Sequence, residues 1–497
     1  MNKKRVLSVL AAITVLVIAV TALVACDHYK WNSVGAGDSS AAVVSNGGYY
    51  VEQGKYVYFI NGYVGDGAAN EWGTPYKQSI MRAEKNADGS VNNDTATVVV
   101  PKSIYNTSVN GGFAVFGEWI YYATPNSDKD KSGTASTTNT DFMRTRTDGA
   151  ITQKIATINT RTSEYLFTPT RVLYRTDTST VYYIDFSGMP TNRSVNNGKG
   201  AVHGTFISNA TSIAWGYDVQ WNPQAGAVAS DYIFFTESLT GDDSYKFYNN
   251  LCAIKYDGTD KRVLATYNSY FGEGDSEEST PDKVYNFTVQ KVAFNADDTA
   301  TLYYTKKINS TTNADKGLYS NVFSLKDGFS ATAEKQVSAT AVTTFYPLGG
   351  DKGVFATQNS AVYYVNGNTN FSEQSKVIGA DKKATVLYVE EVSDGVYVYY
   401  KDSTGTALYR IKVALAADGK VTALKNEETV VATGVKTDWL NPEFCGGAFY
   451  YFDTEDYNYV HRVNLSAFDG NSDKGTLIGK MTEEDAKAKE EAEKNKA

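Results

Sequence analysis

Three histidines, three cysteines and a scatter of acidic loop residues are the side chains in this 497-residue chain whose chemistry could go beyond packing. His28, His203 and His461 stand too far apart for a zinc ligand set or a Ser and His triad to be visible in sequence. No G-x-S-x-G nucleophile elbow, phosphate-cradling glycine loop or C-x-x-C-H haem attachment occurs. Carboxylate pairs for glycoside cleavage leave no local mark, because they converge only in space. The nearest approach to a metal site is Asp128, Asp130 and Ser132, followed by Gly133, with oxygen donors at alternate positions as at the opening of a calcium loop. Its twelfth position is Asn139, where a bidentate Glu is wanted, so the stretch is expected to be a solvated polar loop. The acidic stretch Glu273, Asp275, Glu277 and Glu278 has the same reading. No metal and no cofactor are assigned.

A second set of candidates is aromatic. Trp72 with Tyr76, Trp215 with Tyr217, Trp221, and Tyr245 with Phe247 fall in polar connecting segments. Exposed rings of this kind stack on sugars or anchor a protein partner; the competing role is to cover the base of their own loops. Trp221 with Asn222 and Pro223 parallels Trp439 with Asn441 and Pro442, which marks it as a feature of strand entry and leaves Trp215 as the better ligand candidate.

The elements that must position these residues follow one repeated pattern, shown by Glu118 to Thr124 (EWIYYAT) and then Phe142 to Gly149 (FMRTRTDG). Aromatic and β-branched runs of this length read as strands. Apolar residues do not alternate with polar ones in Trp119, Ile120, Tyr121 and Tyr122, so both faces of the strand must be covered. Asp148 and Gly149 suit the positive φ of a tight hairpin. The same turn returns at Asp88 and Gly89, Asp257 and Gly258, Asp327 and Gly328, Asp418 and Gly419, and Asp469 and Gly470, with Ser187 and Gly188, and Asn366 and Gly367, as weaker copies. A spacing of about 54 residues is of the propeller kind.

The pattern predicts an all-β chain with a single β-propeller over 47–480, of eight four-stranded blades, seven being the rival count. Blade four is expected to begin at 225–229, and the apolar segment 41–44 is a candidate ring-closing strand. The longest insertions (62–78, 125–140, 189–224, 238–250, 267–286 and 307–318) are expected on the face that carries the loops between second and third strands and the links between blades. Insertions gathered on one face mark a binding face, with tolerated drift of loops as the alternative. Cys252 and Cys445, in blades four and eight, are expected to be buried thiols beyond disulfide reach of each other. The charged segment 481–497 lacks an apolar face and is expected to be a solvated tail, with Thr482 and Asp485 suited to cap a short helix.

Residues 1–25 stand apart. Lys3, Lys4 and Arg5 precede an apolar run from Val6 to Val24, the layout of a secretory signal peptide, or of an uncleaved membrane anchor. Leu23, Val24, Ala25 and Cys26 resemble the lipobox of bacterial lipoproteins. The resemblance implies cleavage before Cys26 and a lipid on its sulfur, with 26–46 as a flexible tether and the body on the extracytoplasmic face of the membrane. Removing the leader's three basic residues takes the formal charge from −9 to about −12, which argues against nucleic acid as a partner.

The repeat resembles YWTD-type β-propellers and a set of uncharacterised bacterial propeller lipoproteins. The residues that carry it are Ile80, Met81 and Arg82 before Asp88 and Gly89, and Leu408, Tyr409 and Arg410 before Asp418 and Gly419. The Trp of the YWTD signature is mostly Tyr here, and six blades is that family's number. A membrane-anchored scaffold that binds a protein or a glycan is the expectation. The alternatives are a glycan-active or quinone-dependent propeller enzyme, and an envelope-assembly scaffold in a host with two membranes.

Overall fold

A computed structural model describes residues 37, 49–64, 77–104, 113–126, 139–160, 164–177, 179–194, 198–214, 232–240, 246–270, 286–295, 298–307, 316–340, 342, 344–367, 371–416, 420–423, 428–436, 443–468 and 475–495. They form eight antiparallel sheets, each from one contiguous stretch of chain. Blade 1 is β1 (Tyr50–Gln53), β2 (Tyr56–Ile60), β3 (Ile80–Lys85) and β4 (Val91–Val100). Blade 2 is β5 (Phe113–Phe116), β6 (Trp119–Pro125), β7 (Thr140–Arg146) and β8 (Thr152–Ile158). Blade 3 is β9 (Tyr165–Phe167), β10 (Arg171–Arg175), β11 (Val181–Asp185) and β12 (Val202–Ile207). Blade 4 is β13 (Ala210–Ala214), β14 (Tyr232–Thr240), β15 (Lys246–Lys255) and β16 (Arg262–Tyr270). Blade 5 is β17 (Asn286–Phe294), β18 (Thr299–Lys307), β19 (Lys316–Ser324) and β20 (Lys335–Ser338). Blade 6 is β21 (Phe345–Pro347), β22 (Val354–Gln358), β23 (Ala361–Val365) and β24 (Lys376–Ile378). Blade 7 is β25 (Thr385–Val392), β26 (Gly395–Lys401) and β27 (Ala407–Leu415), with an outer strand in two pieces, β28 (Val421–Ala423) and β29 (Thr429–Thr433). Blade 8 has its inner strand in two pieces, β30 (Val435–Lys436) and β31 (Glu443–Cys445), then β32 (Ala448–Asp453), β33 (Tyr459–Asn464) and β34 (Thr476–Leu477). The chain is thus an eight-bladed propeller, and the seven-blade count is set aside.

The second strand of each blade carries the two-faced burial that its sequence demands. Tyr121 with Tyr122, Tyr303 with Tyr304, Tyr399 with Tyr400 and Tyr450 with Tyr451 are all buried, one ring against each neighbouring blade. A flat sheet with two apolar sides needs a cover on each, and a closed ring supplies both at once.

The expected Asp-Gly turns at 88–89, 148–149, 257–258 and 327–328 are present between third and fourth strands, and those at 418–419 and 469–470 lie outside the described residues. Gly89 and Gly149 both have φ of 77°, and Asp88 and Asp148 accept a hydrogen bond from the backbone N–H two residues on, at 3.0 and 2.9 Å. Ser187 and Gly188 do not repeat this: Gly188 is not left-handed, and the aspartate role falls to Asp185, which accepts from the Ser187 N–H at 2.9 Å.

In blades 1, 2 and 7 an arginine of the third strand joins its blade to the next. Arg82, in β3, covers the ring of Tyr56 at 4.4 Å and donates to the carbonyl of Thr147 in the next blade at 3.1 Å. Arg144, in β7, covers Trp119 at 4.4 Å, donates to Gln153 Oε1 at 2.6 Å and reaches the carbonyl of Pro190 in blade 3. Arg410, in β27, lies between Tyr397 of its own blade and Phe468 of blade 8. Replacing Arg144 by methionine, which keeps the stem and removes every donor, is expected to lower stability by about 2–4 kcal/mol. Urea unfolding checks this through the transition midpoint.

Three local expectations are corrected. Blade 4 begins at β13, upstream of 225–229, a stretch that lies outside the described residues together with 41–44. Small, half-polar Ala210–Ala214 lacks the aromatic density by which the other inner strands announce themselves. In blades 4 and 5 the strands run into the expected loops 238–250, 267–286 and 307–318, with ladders that reach Thr240 opposite Phe247 and Lys307 opposite Lys316, while 241–245, 271–285 and 308–315 lie outside the described residues. Cys445 is half-buried, whereas Cys252 is fully buried; neither is disulfide-bonded.

Ring closure uses side chains in place of a shared strand among the described residues. The amide of Asn61 donates to the carbonyl of Lys480 at 2.8 Å and accepts from the Lys480 N–H at 3.2 Å. Asn93 likewise donates to the carbonyl of Leu477 at 2.8 Å and accepts from the Gly479 N–H at 2.9 Å. Nearer the axis, Tyr50 stacks on Tyr450 at 3.8 Å, and the Tyr49 hydroxyl donates to the Tyr450 carbonyl at 2.6 Å.

The C-terminal segment forms helix α1 (Glu483–Lys494), capped by Thr482, whose hydroxyl accepts from the Asp485 N–H at 3.1 Å. It buries no side chain, in keeping with the missing apolar face, yet polar contacts fix it to the disc. Among the described residues no helix is long and apolar enough to cross a membrane.

Candidate functional site

Inner strands of neighbouring blades touch around the axis, as β13 with β17 and β21 with β25. Connections between first and second strands, and between third and fourth, therefore share one face, here the turn face. Connections between second and third strands and the links between blades share the other, the loop face.

Two raised features stand on the loop face. In blades 4 and 5, β14 to β19 are 9 or 10 residues long, against 5 for β2 and 7 for β6. The register shows that the extra pairs lie at the loop-face end. At ~3.3 Å per residue these hairpins project by roughly 10 Å, forming a wall. On the opposite side of the ring, α1 lies over the edge of blades 8 and 1.

The cluster beneath α1 holds most of the unusual chemistry in the described structure. Between β32 and β33 the chain turns through two consecutive left-handed residues, Tyr457 (φ 55°) and Asn458 (φ 59°). This fold brings Asp453 and Asp456 to either side of His461. His461 Nε2 lies 2.9 Å from Asp456 Oδ2, and Nδ1 lies 3.7 Å from Asp453 Oδ2. Lys489, from α1, meets the other Asp456 oxygen at 2.7 Å. Burial works against the charge on Asp456, but His461 and Lys489 outweigh it and hold the carboxyl below its ordinary value. Asp453 is raised, with burial the main cause and the His461 charge opposing it. A second anchor joins Asp485 to Lys77 at 3.1 Å and to the Tyr459 hydroxyl at 2.8 Å.

This arrangement is structural. Both nitrogens of His461 face carboxylates, so neither serves a nucleophile. Asp453 and Asp456 flank an imidazole and are about 5% exposed, which leaves no room for a sugar ring between them. Of the remaining buried acids, Asp298 pairs with Lys326, and Asp141 and Glu237 are more fully engaged. Asp141 Oδ1 accepts from Asn126 at 2.8 Å and Thr157 at 2.6 Å, while its Oδ2 meets Lys154 at 3.1 Å. Glu237 accepts from Asn250 and Lys261, and from the thiol of Cys252 at 3.5 Å. Burial, with Glu237 adding to it, pushes that thiol up to about 12, so Cys252 is no nucleophile at neutral pH. His203 is exposed on β12. Among the described residues no group of three or more His, Cys, Asp or Glu could hold a metal ion.

The docking of α1 is ionic, which makes it pH-sensitive. Asp456 and Asp485 both have folded values below their unfolded ones near 4. They contribute stability above the unfolded value, and it is lost as pH falls through the folded ones. Acidification relieves the buried charge of Asp453, an effect of opposite sign. Helix α1 is expected to detach below about pH 4, while the disc persists, read as amide exchange at Ala486 to Lys489.

The aromatic candidates Trp72, Tyr76, Trp215, Tyr217, Trp221 and Tyr245 lie outside the described residues, as do Cys26 and the loop candidates Asp128, Asp130 and Ser132. The backbone of Phe247 is placed in β15, opposite Thr240 and Ser269. The strand ends that bound 65–76 and 127–138 open on the loop face. Those that bound 215–231, Ala214 and Tyr232, open on the turn face, because 215–231 joins a first strand to a second. The sequence offered no mark for the wall of blades 4 and 5, apart from the unusual length of Asn286–Phe294 and its neighbours as alternating runs.

No family model matches the sequence, and no curated protein matches it. Similarity to solved structures is confined to the fold. The chain is similar to a prolyl endopeptidase, with 9% identity and a TM-score of 0.36, over 95% of this chain and 54% of that one, so it spans about half of that protein's length. It is similar to the β-propeller domain of Myceliophteria thermophila Cps50 (Swd1), with 8% identity and a TM-score of 0.31, over 87% and 97%. The β-propeller domain of the Trilobed protease from Pyrococcus furiosus matches at 8% identity and a TM-score of 0.32, over 71% and 94%.

Proposed function

We propose that this chain is a membrane-anchored, extracytoplasmic propeller scaffold that binds a protein or glycan partner on its loop face. The observation that carries the reading is the relief of that face: a wall of extended hairpins in blades 4 and 5 opposite α1, with 65–76, 105–112 and 127–138 opening between other strands of the same face. Rigid strands that raise connecting segments above a disc are a common basis for recognition surfaces. The anchor rests on the lipobox-like Leu23 to Cys26, and the net negative charge favours a partner other than nucleic acid.

A glycan array and a pull-down with the delipidated domain test it. Trp72→Ala is expected to weaken binding by at least tenfold, as loss of a stacking or anchoring Trp does. Trp215→Ala, in a segment whose strand ends open on the turn face, reports on that other face. Binding that survives Trp72→Ala at full strength, or that is lost only with Trp215→Ala, would count against the loop face.

A further inference from the structure

The tether leaves a trace on the disc. Gly37 is half-buried between blades 1 and 2, and its N–H donates to Thr147 Oγ1 at 3.2 Å. A Cβ at this position would lie 2.5 Å from the Tyr58 hydroxyl and 2.9 Å from Thr147 Oγ1, so the backbone itself is seated in the crevice. Thr147 belongs to the turn face, and the Tyr58 hydroxyl comes to Gly37 from the middle of β2. The N–H of Thr147 donates to the carbonyl of Glu118, in the turn between β5 and β6, and Gln53 reaches across from the end of β1 to the carbonyl of Gly117 in that same turn. The carbonyl of Thr147 receives Arg82 from blade 1. The seat of Gly37 is thus a junction of turns from two blades, held by buried hydrogen bonds.

From this seat we infer that the propeller is held with its turn face toward the membrane and its loop face, with the wall and α1, directed away from it. The inference rests on the membrane anchor proposed above, but not on its kind: an acylated Cys26 and an uncleaved apolar run ending at Val24 both put the bilayer near residue 25. About eleven residues separate Cys26 from Gly37, a reach of at most about 40 Å when fully extended. In blades 1 to 3 the disc is about 20 Å thick, at four to seven residues for most strands and ~3.3 Å each. With the chain seated on the turn face at Gly37, that face can lie against the headgroups on a slack tether, whereas bringing the loop face there would spend about half of the tether's reach on crossing the disc. A large soluble partner then meets the loop face without having to enter the gap between disc and membrane.

Energy transfer from single labels to acceptor-labelled headgroups tests the orientation, using the full chain in membrane vesicles and a Cys445→Ser background. Asp88→Cys and Asp327→Cys place donors on exposed turns of the turn face, and Ser403→Cys and Glu455→Cys on exposed loops of the loop face. Transfer is expected to be at least twofold greater from Asp88→Cys and Asp327→Cys. Equal transfer from all four, or greater transfer from Ser403→Cys and Glu455→Cys, would overturn the inference. Gly37→Trp, which cannot fit against Tyr58 and Thr147, is expected to unseat the tether and shrink the difference with the urea midpoint unchanged. Thr147→Ala, which removes only the acceptor, is expected to do so in part. A difference that survives Gly37→Trp undiminished would show that the seat does not orient the disc. Vesicle flotation keeps the two readings apart: a chain that does not float has lost the anchor, whereas one that floats with no facial difference has lost only the orientation.

Discussion

Replacing Asn61 and Asn93 together by alanine is expected to open the ring where blade 8 meets blade 1. Each amide pairs with both a backbone N–H and a carbonyl of 477–480, doing for the ring what a shared strand would do. Two hydrogen bonds per side chain, each worth about 0.5–1.5 kcal/mol net, predict a loss of about 2–6 kcal/mol for the pair. The effect should also be local. Leu477 to Lys480 and α1 are expected to lose amide-exchange protection, while blades 3 to 5, across the disc, keep theirs. Uniform loss of protection in all blades would show that these amides act on the fold as a whole. No loss at all would show that the tyrosine contacts near the axis close the ring unaided.

The second large effect is expected at Asp141. Alanine there strips three partners at once and breaks a buried ion pair with Lys154, a change that costs about 3–5 kcal/mol. Asp141→Asn keeps the size and an acceptor but removes the charge, so it should cost less than half as much. Lys154→Met in the Asp141→Ala background should recover part of the loss, because the charge that Asp141 offset goes with it. Urea midpoints of the four proteins check this. An equal cost for alanine and asparagine would place the contribution in hydrogen-bond geometry instead of charge. Because Asp141 begins β7 beside 127–138, the same change is expected to disturb the base of that loop-face segment.

Some of this was legible in the chain and some was not. The doubled tyrosines of Tyr121 with Tyr122 and Tyr399 with Tyr400 announced strands hidden on both sides, and Asp88 with Gly89 or Asp148 with Gly149 announced the turns, since both signals are local. The arginine of Met81 with Arg82 and Tyr409 with Arg410 was visible as part of the repeat, but its work was not: its partner in the next blade, the Thr147 carbonyl for Arg82 and the Phe468 ring for Arg410, lies about 60 residues away. Blade 4 was misplaced at its first strand because Ala210–Ala214 owes its strand character to β14 and β17, and a propensity reading sees neither. The loop aromatics were singled out by type alone, and type does not say on which face a segment begins. That depends on the parity of strands, and the upstream start of blade 4 moved the ends of 215–231 to the turn face.

By itself the sequence determined the class and the repeat, because both are written in residues that act on their near neighbours, and the structure decided for eight blades over seven. The tertiary structure alone decided how the circle closes, through Asn61 and Asn93, where Gly37 is seated, and how His461 is consumed between two aspartates. Those contacts join groups up to about 400 residues apart, and only the geometry of a closed ring, in which the first and last blades must meet, brings them within a hydrogen bond of one another.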